Sequence, residues 1–195
     1  MKKKILERYR RNSAGELVVD IATAKVSDLY DDFDKQAPFI KKELDYDLVE
    51  YLVKSAHELG REPFSVNFSF NAVLDDPLKD RVRHSIQGYF DYLLAKNSRE
   101  LHVMMRTSLT LFLLGLVMLS ASVYINHTLD LGSSVFKRIM AEGLVIASWV
   151  SMWEAIAGVL LNWQPTVRER LVYRRLKNAE LTFNNLHGSN SEGTP

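Results

Sequence analysis

The sequence predicts a small α/β domain of β-α-β-α order, followed by a hairpin of two transmembrane helices. Two observations lead to this fold class. The second half of the chain contains two long apolar runs, at residues 107–129 and 143–167. The first half is charged, and strand-like and helix-like patterns alternate along it. A helix needs about 20 mostly apolar residues to cross the hydrocarbon core of a bilayer, and each run supplies them.

Cysteine usage and charge narrow the classes of protein that fit. The chain of 195 residues contains no cysteine, which excludes disulfides and thiolate metal sites. Its formal net charge is +1 with both signs interspersed, so the charge gives no indication of a nucleic-acid partner, and none is expected. The N-terminal segment is basic and has no apolar core, so no cleavable signal peptide is expected.

The α/β domain is assigned to residues 1–98. Residues 17–21 are apolar and β-branched, as expected of a short strand. Phe64–Phe70 alternates apolar residues with small polar ones, which predicts a strand with one buried face. Residues 47–59 carry apolar side chains at helical spacing and end at Gly60, a suitable C-cap. The strands are expected to be parallel and joined by a right-handed crossover.

The sheet and its flanking helices are only partly defined by these patterns. Two strands alone make a poor sheet, so either a further strand lies elsewhere in the chain or a second subunit completes the sheet. A short helix is expected at residues 27–33, with Ser27 as its N-cap. The next helix starts near residue 76 and is expected to continue into the first span, with or without an interruption at residues 96–98.

The transmembrane hairpin is assigned to residues 99–166, with spans at about 105–126 and 141–163. Lysine and arginine are concentrated before the first span and after the second, whereas the connecting loop holds few. Cytoplasmic segments are enriched in these residues. Both termini are therefore expected in the cytoplasm.

Small residues line one face of each predicted span. In the first span they recur every seven residues, at Ser108, Gly115 and Ser122. In the second they recur every four residues, at Gly143, Ala147, Ser151 and Ala155, and Gly158 extends the same face three residues later. Small residues let helix backbones approach closely in lipid. These faces are expected to pack, either within the hairpin or between subunits of a homo-oligomer.

Glu154 is the charged residue inside the second apolar run. A carboxylate at mid-membrane depth is costly unless it is protonated or paired, so Glu154 is a candidate functional residue. At about 1.5 Å of rise per residue it lies near the depth of Thr110 and Gly115, and Thr110 could donate a hydrogen bond to it. Three interpretations stay open: a protonated or hydrogen-bonded packing residue, a residue of a polar cavity or proton path, or a partner for another protein's cation.

A basic juxtamembrane helix is expected at residues 167–186. Its arginines would face lipid headgroups, at Arg168, Arg170, Arg174 and Arg175. A topology signal alone would explain the same charges equally well. The remaining residues, 187–195, are polar and contain glycine, which indicates a disordered tail.

The sequence offers no recognisable catalytic, cofactor or metal site. Its glycines are scattered rather than grouped in a phosphate-binding loop, and its five histidines have no metal-ligand spacing. An acidic cluster at residues 28–34 lacks the glycine and the terminal glutamate of a calcium loop. We therefore expect a protein that is not an enzyme and that uses neither a cofactor nor a metal ion.

The chain resembles a family of bacterial integral membrane proteins with no established activity. The resemblance rests on Glu142-Gly-Leu144, Trp149, Trp153, Leu160, Trp163, Pro165, Arg168-Glu-Arg170, Tyr173 and Leu176, and on residues 34–48. It covers most of the chain and implies a small cytoplasmic domain followed by a two-helix membrane hairpin. The family has Arg-Pro and then a glutamate where this chain has Glu154, Ala155 and Ala157, so it implies no arginine–glutamate pair here.

The leading functional prediction is a non-enzymatic interaction or assembly module, anchored in the bacterial inner membrane and forming homo-oligomers. Its partners would be membrane lipids, further copies of the chain and a protein that the sequence does not identify. The alternative is an oligomeric channel or transport accessory with Glu154 in a polar intramembrane path.

Overall fold

The computed structural model describes residues 5–34, 38–39, 41–128 and 135–186. In these ranges the chain forms, in order, β1 (Arg10–Arg11), β2 (Leu17–Thr23), a 3-10 turn (Val26–Leu29), α1 (Tyr46–Leu59), β3 (Phe64–Phe70), α2 (Asp76–Thr128), α3 (Val135–Asn178) and β4 (Glu180–Asn185). The chain divides into two compact units. The first combines the residues before 96 with those after 168, and the second comprises Lys96–Arg168.

The first unit contains a mixed four-stranded sheet with the strand order β1-β2-β3-β4. Strands β2, β3 and β4 are parallel, and β1 pairs antiparallel with β2. Leu17 lies opposite Phe64, and Val66 lies opposite Leu181. A small sheet domain with two long apolar helices in the described residues agrees with the predicted fold class, as does the parallel pairing of β2 with β3. The further strands of the sheet, β1 and β4, come from this chain.

One face of the sheet carries the hydrophobic core of the first unit. Side chains from the sheet, α1, α2 and α3 are buried together there, among them Val19, Val66, Phe68, Leu52, Ala56, Val82, Ile86, Phe90, Val172 and Leu176. Burying one large apolar side chain stabilises a fold by about 1.5–3 kcal/mol. The start of α2 and the end of α3 are therefore integral parts of this core.

Helix α1 covers the predicted residues 47–59 and begins one residue earlier, at Tyr46. The Asp45 side chain accepts hydrogen bonds from the backbone N–H groups of Asp47 and Leu48 and so caps the first turn. Gly60 follows the last turn with φ of +63°, a conformation that glycine adopts at low cost. These caps fix both ends of the helix that lies between β2 and β3 in the chain.

The predicted basic helix at residues 167–186 is wrong in its second half. Helix α3 ends at Asn178, and Glu180–Asn185 forms β4 beside β3. The predicted helix at residues 27–33 is also wrong, because Val26–Leu29 is a short 3-10 turn. Helix α2 runs through residues 96–98 without an interruption. The predicted disordered tail, 187–195, lies outside the described residues.

Candidate functional site: the apolar hairpin and the open face of the sheet

The second unit is a hairpin of α2, from residue 96, and α3, up to residue 168. In the described part of the chain, α2 and α3 are the two helices long and apolar enough to cross a membrane. Only 17% and 11% of the residues in their most apolar windows are buried. Large apolar side chains such as Leu113, Val117 and Trp153 are exposed on the hairpin. Most of its apolar surface is thus uncovered by the described protein.

Small residues at seven-residue spacing form the contact between the two helices. Ser108, Gly115 and Ser122 are buried on α2, and Ala141, Ser148 and Ala155 are buried on α3. A Cβ atom on Gly115 would lie 2.7 Å from Met152 Cγ and 3.0 Å from the Ser148 carbonyl oxygen. The Ser122 hydroxyl donates a 2.9 Å hydrogen bond to the Ala141 carbonyl. Close approach at Gly115 therefore requires a residue without a side chain.

The small face predicted for the second span lies only partly in this contact. Ala155 is buried, and a Cβ on Gly158 would lie 3.2 Å from Ser108 Oγ. Gly143 instead faces open space, and Ala147 and Ser151 are half-buried. At 3.6 residues per turn a four-residue repeat moves around the helix by about 40° per step, whereas a seven-residue repeat drifts by about 20°. The seven-residue set therefore stays on the contact face.

Glu154 lies outside the contact between the helices. Its side chain is exposed and has no hydrogen bond or ion pair within the described residues. The Thr110 hydroxyl donates to the Arg106 carbonyl at 2.9 Å, so the predicted bond from Thr110 to Glu154 is wrong. Along α3, Glu154 lies between Met152, which is beside Gly115, and the contact residue Ala155. The carboxyl is thus at the middle of the hairpin's length and points away from its partner helix.

Arg175 does not face lipid headgroups, in contrast to the prediction. Its guanidinium Nη1 donates to the carbonyls of Ala56 and Gly60, and its Nη2 donates to the carbonyl of Glu62. Its Cζ lies 4.8 Å from the centroid of the Phe64 ring. Burial lowers the pKa of Arg175. The last carbonyls of a helix lack intrahelical partners and carry partial negative charge, which this cation balances.

The other predicted headgroup arginines, Arg168, Arg170 and Arg174, are exposed. Close to them in sequence, the Lys177 ammonium forms a 2.6 Å ion pair with Asp91 of α2. These three arginines thus lie at the protein surface, while the last turns of α3 hold the first unit together.

A polar network on the sheet face opposite the core was not predicted from the sequence. Asn67 in β3 is 5% exposed. Its Nδ2 donates to Asp20 Oδ1 at 2.8 Å, and its Oδ1 accepts from Asn184 Nδ2 at 2.8 Å and from Thr182 Oγ1 at 3.1 Å. Arg10 donates to the same Asp20 oxygen at 3.2 Å. The network therefore links β1, β2, β3 and β4 in one row.

A depression of about 640 Å³ lies over this network. Its lining includes Arg10, Asp20, Ser69 and Asn184. The Arg10 and Asp20 side chains are 65% and 50% exposed, so polar groups line an open surface. The alternation in β3 indicated a polar face, but no local pattern linked it to Asp20 or to β4. The depression can offer hydrogen bonds to a polar partner.

Comparison with known protein families, curated proteins and solved structures finds no match for this chain. Among the residues that the structure describes, no group of three or more His, Cys, Asp or Glu side chains could hold a metal ion. Function is therefore inferred from the hairpin and the sheet themselves.

Proposed function

We propose that this protein is a non-enzymatic interaction or assembly module, anchored in the inner membrane of a bacterium by its helical hairpin. The exposed apolar surface of the hairpin is the observation that carries this proposal. A long apolar helix in the core of a soluble protein is covered by other elements. Here Leu113, Val117 and Trp153 are exposed in the described structure. A bilayer would bring such side chains into hydrocarbon.

The proposed topology places both termini in the cytoplasm and a short connection outside. It is supported by the lysines and arginines before the first apolar run and after the second. The same layout belongs to the bacterial membrane-protein family that the sequence resembles, and membership of that family is part of the proposal. The exposed Arg168, Arg170 and Arg174 would then meet anionic headgroups on the cytoplasmic side.

Two surfaces support an interaction role within this proposal. One is the part of α3 that the hairpin contact does not use, with Gly143 and Glu154 exposed. The other is the polar depression over Asp20 and Asn67. The first favours homo-oligomers in the membrane, because a lone carboxyl in lipid is unfavourable unless a partner is present. The second suits a polar partner of the first unit.

Fractionation of cells that express the full chain tests the proposal. We expect the protein to stay in membranes washed with alkaline carbonate. After extraction in a mild detergent, we expect it to purify as an oligomer or together with another protein. Release by carbonate would contradict the membrane anchor. A monodisperse monomer without a co-purifying protein would contradict the assembly role.

A channel or transport accessory is the second candidate, favoured by the outward-facing Glu154. It predicts that Glu154→Gln changes ion or proton flux in proteoliposomes that contain the full chain. Glu142→Gln is the matched control, since Glu142 is exposed and accepts a 3.1 Å hydrogen bond from Arg138. Equal flux through the wild type and Glu154→Gln would exclude this role.

A further inference from the structure

We infer that a second copy of this chain covers Glu154, so that the two Glu154 carboxyls face each other across a two-fold axis along the membrane normal. The inference rests on the proposed membrane anchor, and it names the partner of the α3 face that carries Glu154. The partner copy completes the site, because the carboxyl lacks a partner in the described residues of its own chain.

No cation of the same helix can reach the Glu154 carboxyl. The sequence of α3 contains no lysine or arginine between Arg138 and Arg168. These arginines are separated from Glu154 by more than about 20 Å along the helix axis, at about 1.5 Å per residue. Thr110 is committed to the Arg106 carbonyl. Arg106 of α2 forms no ion pair with Glu154 in the described residues, and the Glu154 side chain is exposed. A single hairpin therefore leaves the carboxyl facing lipid, which is costly.

Glu154 shares its helix face with residues that the hairpin contact does not use. At about 100° per residue, Gly143, Ala147 and Leu161 lie within about 20° of Glu154 around α3. The contact residues Ser148 and Ala155 lie about 100–120° away and are buried against α2. A Cβ on Gly143 would meet nothing within 4 Å. This face is open to another helix on both sides of the carboxyl.

A second copy of the chain suits this face because a carboxylic acid is self-complementary. Copies inserted with the same topology present parallel α3 helices, and a two-fold axis brings identical residues together at the same depth. A protonated Glu154 can donate to the other carboxyl and accept from it. A different protein would have to supply a donor at this depth, whereas a second copy supplies one by symmetry.

Cysteine crosslinking in native membranes tests the arrangement, because the chain has no cysteine of its own. Ala147→Cys and Leu161→Cys place thiols on the Glu154 face, seven residues to either side. Leu160→Cys is the matched control: Leu160 and Leu161 are adjacent and are 67% and 74% exposed, but they lie about 100° apart around the helix. We expect oxidation to form disulfide-linked dimers at positions 147 and 161 and not at 160. Equal crosslinking at 160 and 161, or none at 147 and 161, would overturn the inference.

Substitution of Glu154 in the Leu161→Cys chain tests the carboxyl pair itself. Glu154→Gln keeps a donor and an acceptor, so crosslinking should persist. Glu154→Leu removes both, and the dimerisation constant should fall by about three- to twentyfold, the range of a hydrogen bond between membrane helices. Unchanged crosslinking with leucine would overturn the pairing. Carbonate extraction of each variant distinguishes failure of the proposed function from failure of this inference. Release of the protein would contradict the membrane anchor, whereas a protein that is retained but not crosslinked would contradict only the pairing with a second copy.

Discussion

Arg175 joins the end of α3 to the end of α1. Its guanidinium is a planar fork of donors, and it reaches the carbonyls of Ala56, Gly60 and Glu62 while it stacks on Phe64. An ammonium could not satisfy these separated carbonyls in the same way. The residue thereby fixes the returning helix against the loop that enters β3.

Arg175→Met should therefore destabilise the first unit by about 2–3 kcal/mol, because hydrogen bonds from a charged donor contribute about 1.5–3 kcal/mol and the Gly60 and Glu62 carbonyls would lose this donor. Hydrogen exchange of the full chain in detergent measures this, through faster exchange of amides at the end of α1 and in β3. Arg175→Lys should recover only part of the protection.

Arg174→Met is the control for this change, since Arg174 is the neighbouring arginine and is exposed. It should leave exchange in β3 unchanged. If Arg174→Met and Arg175→Met had equal effects, the loss would come from net charge, and the hydrogen bonds to α1 would not be responsible.

At the scale of elements, the hairpin depends on a seam of small residues. Gly115 faces the backbone of α3, where an added methyl group would lie 3.0 Å from the Ser148 carbonyl oxygen. Backbone cannot move aside as a flexible side chain can. The distance between α2 and α3 is therefore set at this position.

Gly115→Ala should push the two helices apart and weaken the hairpin by about 1–3 kcal/mol, the usual effect of overpacking. Unfolding of the full chain in mixed micelles, followed by tryptophan fluorescence, measures it, because Trp149, Trp153 and Trp163 all belong to α3. Gly88→Ala is the matched control in α2, since a Cβ there would meet nothing within 4 Å. It should be neutral or stabilising by up to about 1 kcal/mol. If Gly88→Ala lowered stability as much as Gly115→Ala, the close contact at Gly115 would not be the cause of the loss.

The elements with strong local periodicity could be predicted from the sequence. Strict alternation identifies β3, helical spacing with a C-cap identifies α1, and the length of the apolar runs identifies the helices of the hairpin. Strand β4 could not be predicted, because Glu180–Asn185 is largely polar and becomes a strand through pairing with β3, more than a hundred residues earlier. Its register comes from tertiary contacts, which override local preference.

The candidate site was predictable to a smaller degree than the fold. The sequence identifies Glu154 as the charge in the apolar run, but not the direction in which it points. That direction depends on which small residues meet α2, and the four-residue and seven-residue repeats compete for this role. Asn67 and Asp20 are far apart in sequence and meet only because β2 and β3 are adjacent and in register. Contacts of this kind leave no local pattern.

At the scale of the whole molecule, the crossover from β3 to β4 contains the entire hairpin. The last strand of the sheet, β4, therefore follows both apolar helices in the chain. Phe183 of β4 stacks on Phe68 and Phe70 of β3, with ring centroids 5.9 and 6.5 Å apart. The first unit thus depends on the return of the chain through α3.

A chain that ends after Ala179 should lose the fold of the first unit. It lacks the ladder from β3 to β4, the burial of Leu181 and the partial burial of Phe183. The burial of Leu181 alone stabilises by about 1.5–3 kcal/mol. This is a large part of the total of about 5–15 kcal/mol that holds a domain folded. Limited proteolysis of the detergent-solubilised chain should then show rapid cleavage between β2 and α1, while carbonate-washed membranes still retain the protein. A chain that ends after Leu186 keeps β4 and should resist the protease like the full chain. If both truncated chains were cleaved equally fast, the protection would come from the segment after β4, and the closing role of this strand would be wrong.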